Sequence, residues 1–202
     1  IANGYFTEQI ATVEIADRKG TKLFSVDEHP RATSLEQLAA MKPAFKKDGS
    51  VTAGNASGLN DGAAALVMAT GAAVQVNNLR PLARLVSYAH AGVEPTLMGL
   101  GPIPATRLAL KRAGLTVADM DVVEANIAFA AQACAVSQEL DLDPAKVNPN
   151  GSGIALGHPV GATGAIIATK AIHELHRTGG RYALVTMCIG GGQGIAAIFE
   201  RA

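Results

Sequence analysis

Apolar and polar positions alternate over residues 11–17 (ATVEIAD), the period of a half-exposed strand, and a stretch containing Gly, Asp and Pro then runs to Pro30. Thr33 and Ser34 precede Glu36 and Gln37 at the capping-box spacing, which predicts a short helix from about Leu35 to Met41, stopping before Pro43. Residues 42–61 read as a loop. An unbroken apolar run at 63–69 (AAALVMA) and the segment 82–89 (LARLVSYA) predict strands, with one or two helical turns over 71–77 between them. Pro104 and Gly114 bracket a helix over 105–113, proline just inside the start and glycine just past the end. Residues 121–124 form a short strand and 128–140 an Ala-rich buried helix. Residues 161–177 form a long helix with Ile167, Ala171 and Leu175 on one face. Residues 181–189 (RYALVTMCI) and 194–199 (GIAAIF) are strands joined by a glycine turn, as in a hairpin.

Composition agrees with the α/β order of these elements. The 202 residues include 38 Ala and 22 Gly and are only 17% charged, which suits closely packed helices and sheets buried on both faces. Seventeen basic residues balance seventeen acidic ones, so no electrostatic footprint for nucleic acid or a membrane surface is present, and neither is expected as a partner. No apolar run reaches the roughly 18 residues of a membrane span. Two cysteines cannot staple a domain of this size, so a reducing compartment, the cytoplasm, is expected. The chain opens with Ile1 and no signal-peptide pattern, and a piece of something longer is one reading of that start.

Three Gly-rich segments carry the candidate chemistry: 52–58 (TAGNASG), 150–159 (NGSGIALGHP) and 188–194 (CIGGGQG). Glycine lets backbone N–H groups approach a developing anion, as an oxyanion hole requires. A phosphate-binding P-loop is excluded because Gly-Lys followed by Ser or Thr does not occur, and no strand leads into 151–164 as a dinucleotide fold needs. His173 and His176 are three apart rather than the four of a zincin helix and read as surface residues, so no metal is assigned. Cys188 ends an apolar strand ahead of three glycines. That placement fits either an exposed thiol of lowered pKa, usable as base or nucleophile, or a packed core cysteine. Cys134 reads as core packing. His158, between Gly157 and Pro159, is held out of helical geometry just before a helix start, where it serves either an anion or a cap.

The segments 52–64 (TAGNASGLNDGAA), 98–105 (MGLGPIPA), 126–132 (NIAFAAQ), 150–164 (NGSGIALGHPVGATG) and 188–200 (CIGGGQGIAAIFE) stand in the order and spacing of one family. Across essentially its whole length the chain resembles the thiolases of bacterial biosynthetic type, the acetyl-CoA acetyltransferases and β-ketothiolases. The resemblance implies an acyltransferase that joins two acyl-CoA thioesters into a 3-ketoacyl-CoA, or cleaves one by thiolysis, with coenzyme A thioesters as substrates and no further cofactor. One cysteine is acylated; a second removes a proton from the α-carbon of acetyl-CoA, and the enolate attacks the acyl-enzyme. Cys188 matches the second cysteine. His158 matches the residue that donates to the thioester oxygen beside the nucleophile, Asn126 the holder of a water in the same oxyanion hole, and Gly190 a backbone N–H donor to the other hole. Ser57, Ala53 and Phe45 would line the pantetheine channel, and Met98, Ala128 and Phe129 the acyl end. Arg31 would face the nucleotide, in a loop one residue shorter than is usual.

The implied fold is α/β, a mixed five-stranded sheet with helices on both faces. Residues 1–59 would belong to a partial loop (cap) domain, 60–80 to the end of an N-terminal core domain, and 81–202 to the C-terminal core domain. A homodimer or tetramer is implied, and the acylated cysteine would come from an N-terminal thiolase portion, since Cys134 lies in the wrong motif. A catalytically silent CoA-binding module and a Cys–His thioester hydrolase are the alternatives. Ile127 stands where the family has Glu. If that carboxylate hydrogen-bonds the catalytic loops, its loss leaves partners unpaired at about 1–3 kcal/mol. Ile127→Glu is therefore expected to raise turnover in a steady-state assay, and unchanged or lower turnover would contradict this.

Overall fold

The computed structural model describes residues 1–202. Its centre is a mixed sheet ordered β3 (Ala83–Gly92), β6 (Gln193–Arg201), β5 (Tyr182–Ile189), β4 (Val122–Ala125). The β3–β6 and β6–β5 pairs are antiparallel and β5–β4 is parallel. Four strands are fully formed where five are implied, and the fifth position is reduced to one parallel bridge. Val123 donates its N–H to Lys146 O (2.9 Å), and Asn148 donates its N–H to Val123 O (2.8 Å).

Alternation along β5 sorts the core into two layers, because successive side chains of a strand point to opposite faces. Leu184 joins a cluster with Ile103, Ala105 and Ala109 of α3 (Pro102–Ala113) and Val136 of α4 (Ala130–Glu139). Ala183 and Val185 join Val122 and the stripe Ile167, Ala171, Leu175 of α6 (Thr163–Thr178). The helices thus cover both faces, as expected. Truncating Leu184, with no exposed surface, would cost about 2–5 kcal/mol. The α3 helix starts at Pro102, two residues before the proline expected there, and closes on Gly114 in the left-handed conformation (φ 67°).

The first 80 residues behave differently. β1 (Val13–Asp17) pairs with β2 (Gly20–Phe24) in a ribbon apart from the main sheet. β2 falls within a stretch read from sequence as irregular. The ribbon's turn is closed locally, by the Lys19 N–H donating to Asp17 Oδ1 (2.6 Å), and not by core packing. α1 (Leu35–Ala39) has the expected capping box, between Ser34 and Gln37. α2 spans Gly71–Val76.

Two further sequence expectations fail. Residues 63–69 are not a strand: no other strand of the chain lies alongside them, and Val67 is 98% exposed. Cys134 is exposed rather than core, because α4 buries Val136 and Leu140, and a position two before Val136 lies on the opposite side of the helix.

No residue before Ala89 is buried. Limited trypsin digestion is therefore expected to cut first at Arg18, Lys19, Lys46 or Lys47, and to leave a resistant fragment running from β3 to β6. First cuts at Arg107 or Lys111 within α3 would contradict this.

Candidate active site

The site grows from the parallel pair β4–β5, whose carboxyl ends stop together. Ala125 lies opposite Thr186, and Asn126, one residue past β4, donates its N–H to Thr186 O (3.0 Å). Two residues beyond Thr186, Cys188 reaches the same end of the sheet. Its side chain is buried, yet it belongs to neither core cluster. The residues after β4 are held by side chains of the following loop. Asn148 brackets Ala125 by accepting its N–H (3.0 Å) and donating to its carbonyl (2.8 Å), and Ser152 Oγ accepts the Ile127 N–H (3.0 Å).

His158 follows the one-turn α5 (Gly153–Leu156) and Gly157. Its Nδ1 lies 2.7 Å from Thr163 Oγ1 in the first turn of α6. Thr163 donates its own hydroxyl hydrogen to Pro159 O (3.0 Å), so Oγ1 is left as an acceptor and the imidazole hydrogen sits on Nδ1. Nε2 therefore carries a lone pair, directed at the Asn126 amide, whose Nδ2 donates to it at 3.4 Å. Burial holds the His158 pKa below the ordinary imidazole value, which favours this neutral form.

Burial pushes the Cys188 thiol up, so of the two readings of its placement the structure bears out the packed cysteine, a protonated thiol shielded from water. The open glycines beyond it do not offset that desolvation. Gly191 and Gly192 form the β5–β6 turn, both at φ 87°. A Cβ at Gly192 would lie 2.4 Å from Val93 O, so the turn requires glycine there. The Gly190 N–H has no hydrogen-bond partner within the chain and is available to an oxyanion.

Under the site, α6 is tied to β4 by charge. Lys170 donates to the Glu124 carboxylate (2.8 Å) and to Gly151 O (2.6 Å). Glu124 has no exposed side-chain surface, and burial raises its pKa against the pull of Lys170. One turn on, Glu174 accepts from Asn150 Nδ2 (2.8 Å) and from Arg177, whose hydrogen bond lowers the Glu174 pKa. The loop between Asn150 and Gly153 is thus fastened from below.

Of the expected binding residues, Ser57, Ala128 and Phe129 are brought together. The Ser57 N–H donates to Ala128 O (2.8 Å), and Ala56 bridges Phe129. Met98 precedes Gly99, where an added Cβ would lie 2.9 Å from Gln132 Cγ in the first turn of α4, so it borders the same region. Ala53 and Phe45 lie in exposed loop, Phe45 at 78%, and Arg31 is exposed without a hydrogen bond or ion pair; no hydrogen bond joins these three to the others. His173 and His176 are on the surface, as expected. At position 127, no orphaned side-chain donor marks a lost carboxylate: near the site the unpartnered buried side-chain atoms are acceptors, on Glu124, Asn126 and Gln132. Sequence reasoning passed over Thr163, Ser152, Lys170 and Asn60. Only Thr163 carried a local signal, a hydroxyl at a helix start five residues after the histidine.

The chain is similar to known proteins over its whole length. The model of the thiolase C-terminal domain matches residues 79–201, and that of the thiolase N-terminal domain matches residues 1–72. A beta-ketothiolase of Cupriavidus necator is 64% identical over 203 residues, covering 100% of this chain and 52% of that protein. The human mitochondrial 3-ketoacyl-CoA thiolase is 54% identical over 198 residues, 98% of this chain and 50% of its own. The crystal structure of a Bacillus anthracis acetyl-CoA acetyltransferase superposes with TM-score 0.93 at 52% identity, covering 100% of this chain and 51% of that one. The human mitochondrial enzyme in complex with CoA gives 0.88 at 48%, covering 100% and 50%. The chain thus spans about half the length of the curated relatives it matches. With both family models matched along its length and a shared fold at these identities, the chain belongs to the thiolase family.

Proposed function

We propose that this chain supplies the acid/base and oxyanion-binding part of a thiolase active site, for condensation of two acyl-CoA thioesters or the reverse thiolysis. The observation that carries the proposal is the fixed tautomer of His158, with its bare Nε2 beside Asn126 at the sheet end where Cys188 is buried. The nucleophilic cysteine comes from an N-terminal thiolase portion. That portion would pack against the exposed apolar run at 63–69, with residues 1–59 in the loop domain, 60–80 closing the N-terminal core and 81–202 forming the C-terminal core. A homodimer or tetramer in the cytoplasm fits two unpaired cysteines; no helix of the chain is long and apolar enough to cross a membrane.

Each group has a role that its chemistry supports. His158 Nε2, kept neutral by burial, accepts the proton of the nucleophilic thiol, and the thiolate attacks the first thioester carbonyl. Cys188 holds its proton until the CoA thiolate departs, then delivers it to that sulfur. The Cys188 thiolate so formed, poorly solvated, is a strong base and takes the α-proton of the second thioester. The His158 Nε2–H, now protonated, donates to the enolate oxygen, beside a water held by Asn126. The enolate carbon attacks the acyl-cysteine, whose carbonyl oxygen receives the Gly190 N–H. Collapse expels the cysteine thiolate, which recovers its proton from His158 Nε2. Ser57, Ala53 and Phe45 flank the pantetheine, Met98, Ala128 and Phe129 the acyl group, and Arg31 the nucleotide. CoA thioesters are substrates, and no cofactor is required.

The test is the enzyme assembled with its N-terminal portion, with acyl transfer followed by mass spectrometry and condensation by product formation. Cys188→Ser is expected to lower condensation ~100- to 10,000-fold, the usual worth of a general acid/base. The partner cysteine should still become acetylated. Undiminished condensation by Cys188→Ser, or CoA binding with no acyl transfer by the wild-type assembly, would overturn the proposal. Because burial lowers the His158 pKa, the acid-side loss of kcat/KM is expected to begin below the ordinary imidazole range. A limb at or above that range would contradict His158 as the base.

A further inference from the structure

The turn that presents His158 is gripped at both ends by two side chains from distant parts of the chain. At its start, His29 Nε2 donates to Ile154 O (3.2 Å). At its end, the His158 N–H donates to Asn60 Oδ1 (3.0 Å). The two gripping residues are joined, with Asn60 Nδ2 donating to His29 Nδ1 (3.4 Å). The directions are mutually consistent. A carbonyl can only accept, so His29 carries its hydrogen on Nε2, Nδ1 is an acceptor, and the Asn60 amide can turn only one way. Asp27 Oδ1 accepts the His29 N–H (2.9 Å) and seats the imidazole backbone.

The two segments also meet directly. Leu59 forms a parallel bridge with His158. A Cβ at Gly58 would lie 3.0 Å from both Asn60 Oδ1 and His29 Cε1. Gly157, at φ +96°, would place a Cβ 2.9 Å from the Asn60 amide. Two glycines therefore leave the space that Asn60 and His29 occupy, one on each of the segments being joined.

We propose that His29 and Asn60 are positioning residues that clamp the turn between Ile154 and His158 and so set where the His158 ring stands. The proposal rests on the reading of His158 as the base, and neither residue touches the reacting atoms. Thr163 fixes which ring nitrogen carries the hydrogen, whereas the clamp fixes the backbone from which the ring projects. Loss of the clamp thus lowers kcat and spares KM for acyl-CoA, since Ser57 and Phe129 are held through other bonds.

The test compares His29→Phe, which removes both ring hydrogen bonds, with His29→Gln, whose amide can donate to Ile154 O and accept from Asn60. Amide hydrogen exchange in the full chain without substrate reads the clamp directly. His29→Phe is expected to speed exchange at the His158 amide by about tenfold or more, because the Asn60 side chain that accepts this amide loses its own anchor on His29, with the amides of β5 and β6 unchanged and His29→Gln near wild type. In the assembled enzyme, kcat should fall for Phe and recover for Gln at constant KM. Unchanged exchange at His158, or faster exchange spread equally over β5 and β6, would overturn the proposal. An assembly without acyl transfer would remove the catalytic reading, while the exchange data would still decide the clamp.

Discussion

One hydrogen bond orders the chemistry of this fold: the donation from His158 Nδ1 to a threonine oxygen whose hydrogen is already committed. With Pro159 O taking the Thr163 hydroxyl hydrogen, the imidazole has no choice of tautomer, and its remaining nitrogen is an acceptor. Much of the surrounding architecture serves to deliver that nitrogen to Asn126. The parallel pair β4–β5 ends Asn126 and Cys188 at the same level, α6 starts where Thr163 is needed, and the buried Glu124–Lys170 pair ties that helix to β4 and to the preceding loop.

Burial then assigns opposite protonation states to two groups by the same physical cause. Removing water disfavours charge, so the imidazole stays unprotonated and the thiol stays protonated. A neutral base and a neutral acid at one sheet end can exchange protons with incoming thiols and thioesters without either starting as a buried ion. Two adjacent buried ions would have needed compensating charge, and the chain supplies none beside Cys188.

Much of the fold was legible because the C-terminal elements are amphipathic in a way that one sheet with helices on both faces satisfies. The alternation in β5 and the Ile167, Ala171, Leu175 stripe predict their two layers directly. The run at 63–69 misled because an apolar segment of strand length becomes a strand only with a ladder neighbour, and the chain places none beside it. Cys134 misled because an Ala-rich helix gives little contrast between its faces. The catalytic candidates were legible through motifs, but the state of the Cys188 thiol was not: a strand end ahead of three glycines fits exposure and burial alike, and only the folded chain decides between them. His29 and Asn60 were invisible for the same reason, their partners lying about a hundred residues downstream.

The tautomer of His158 can be measured directly. Long-range proton–nitrogen correlation NMR on the histidine-labelled chain at neutral pH assigns it without substrate or turnover. A neutral ring with its hydrogen on Nδ1 and a bare Nε2 is expected, and Thr163→Val should abolish the preference. A hydrogen resident on Nε2, or a doubly protonated ring at neutral pH, would contradict it.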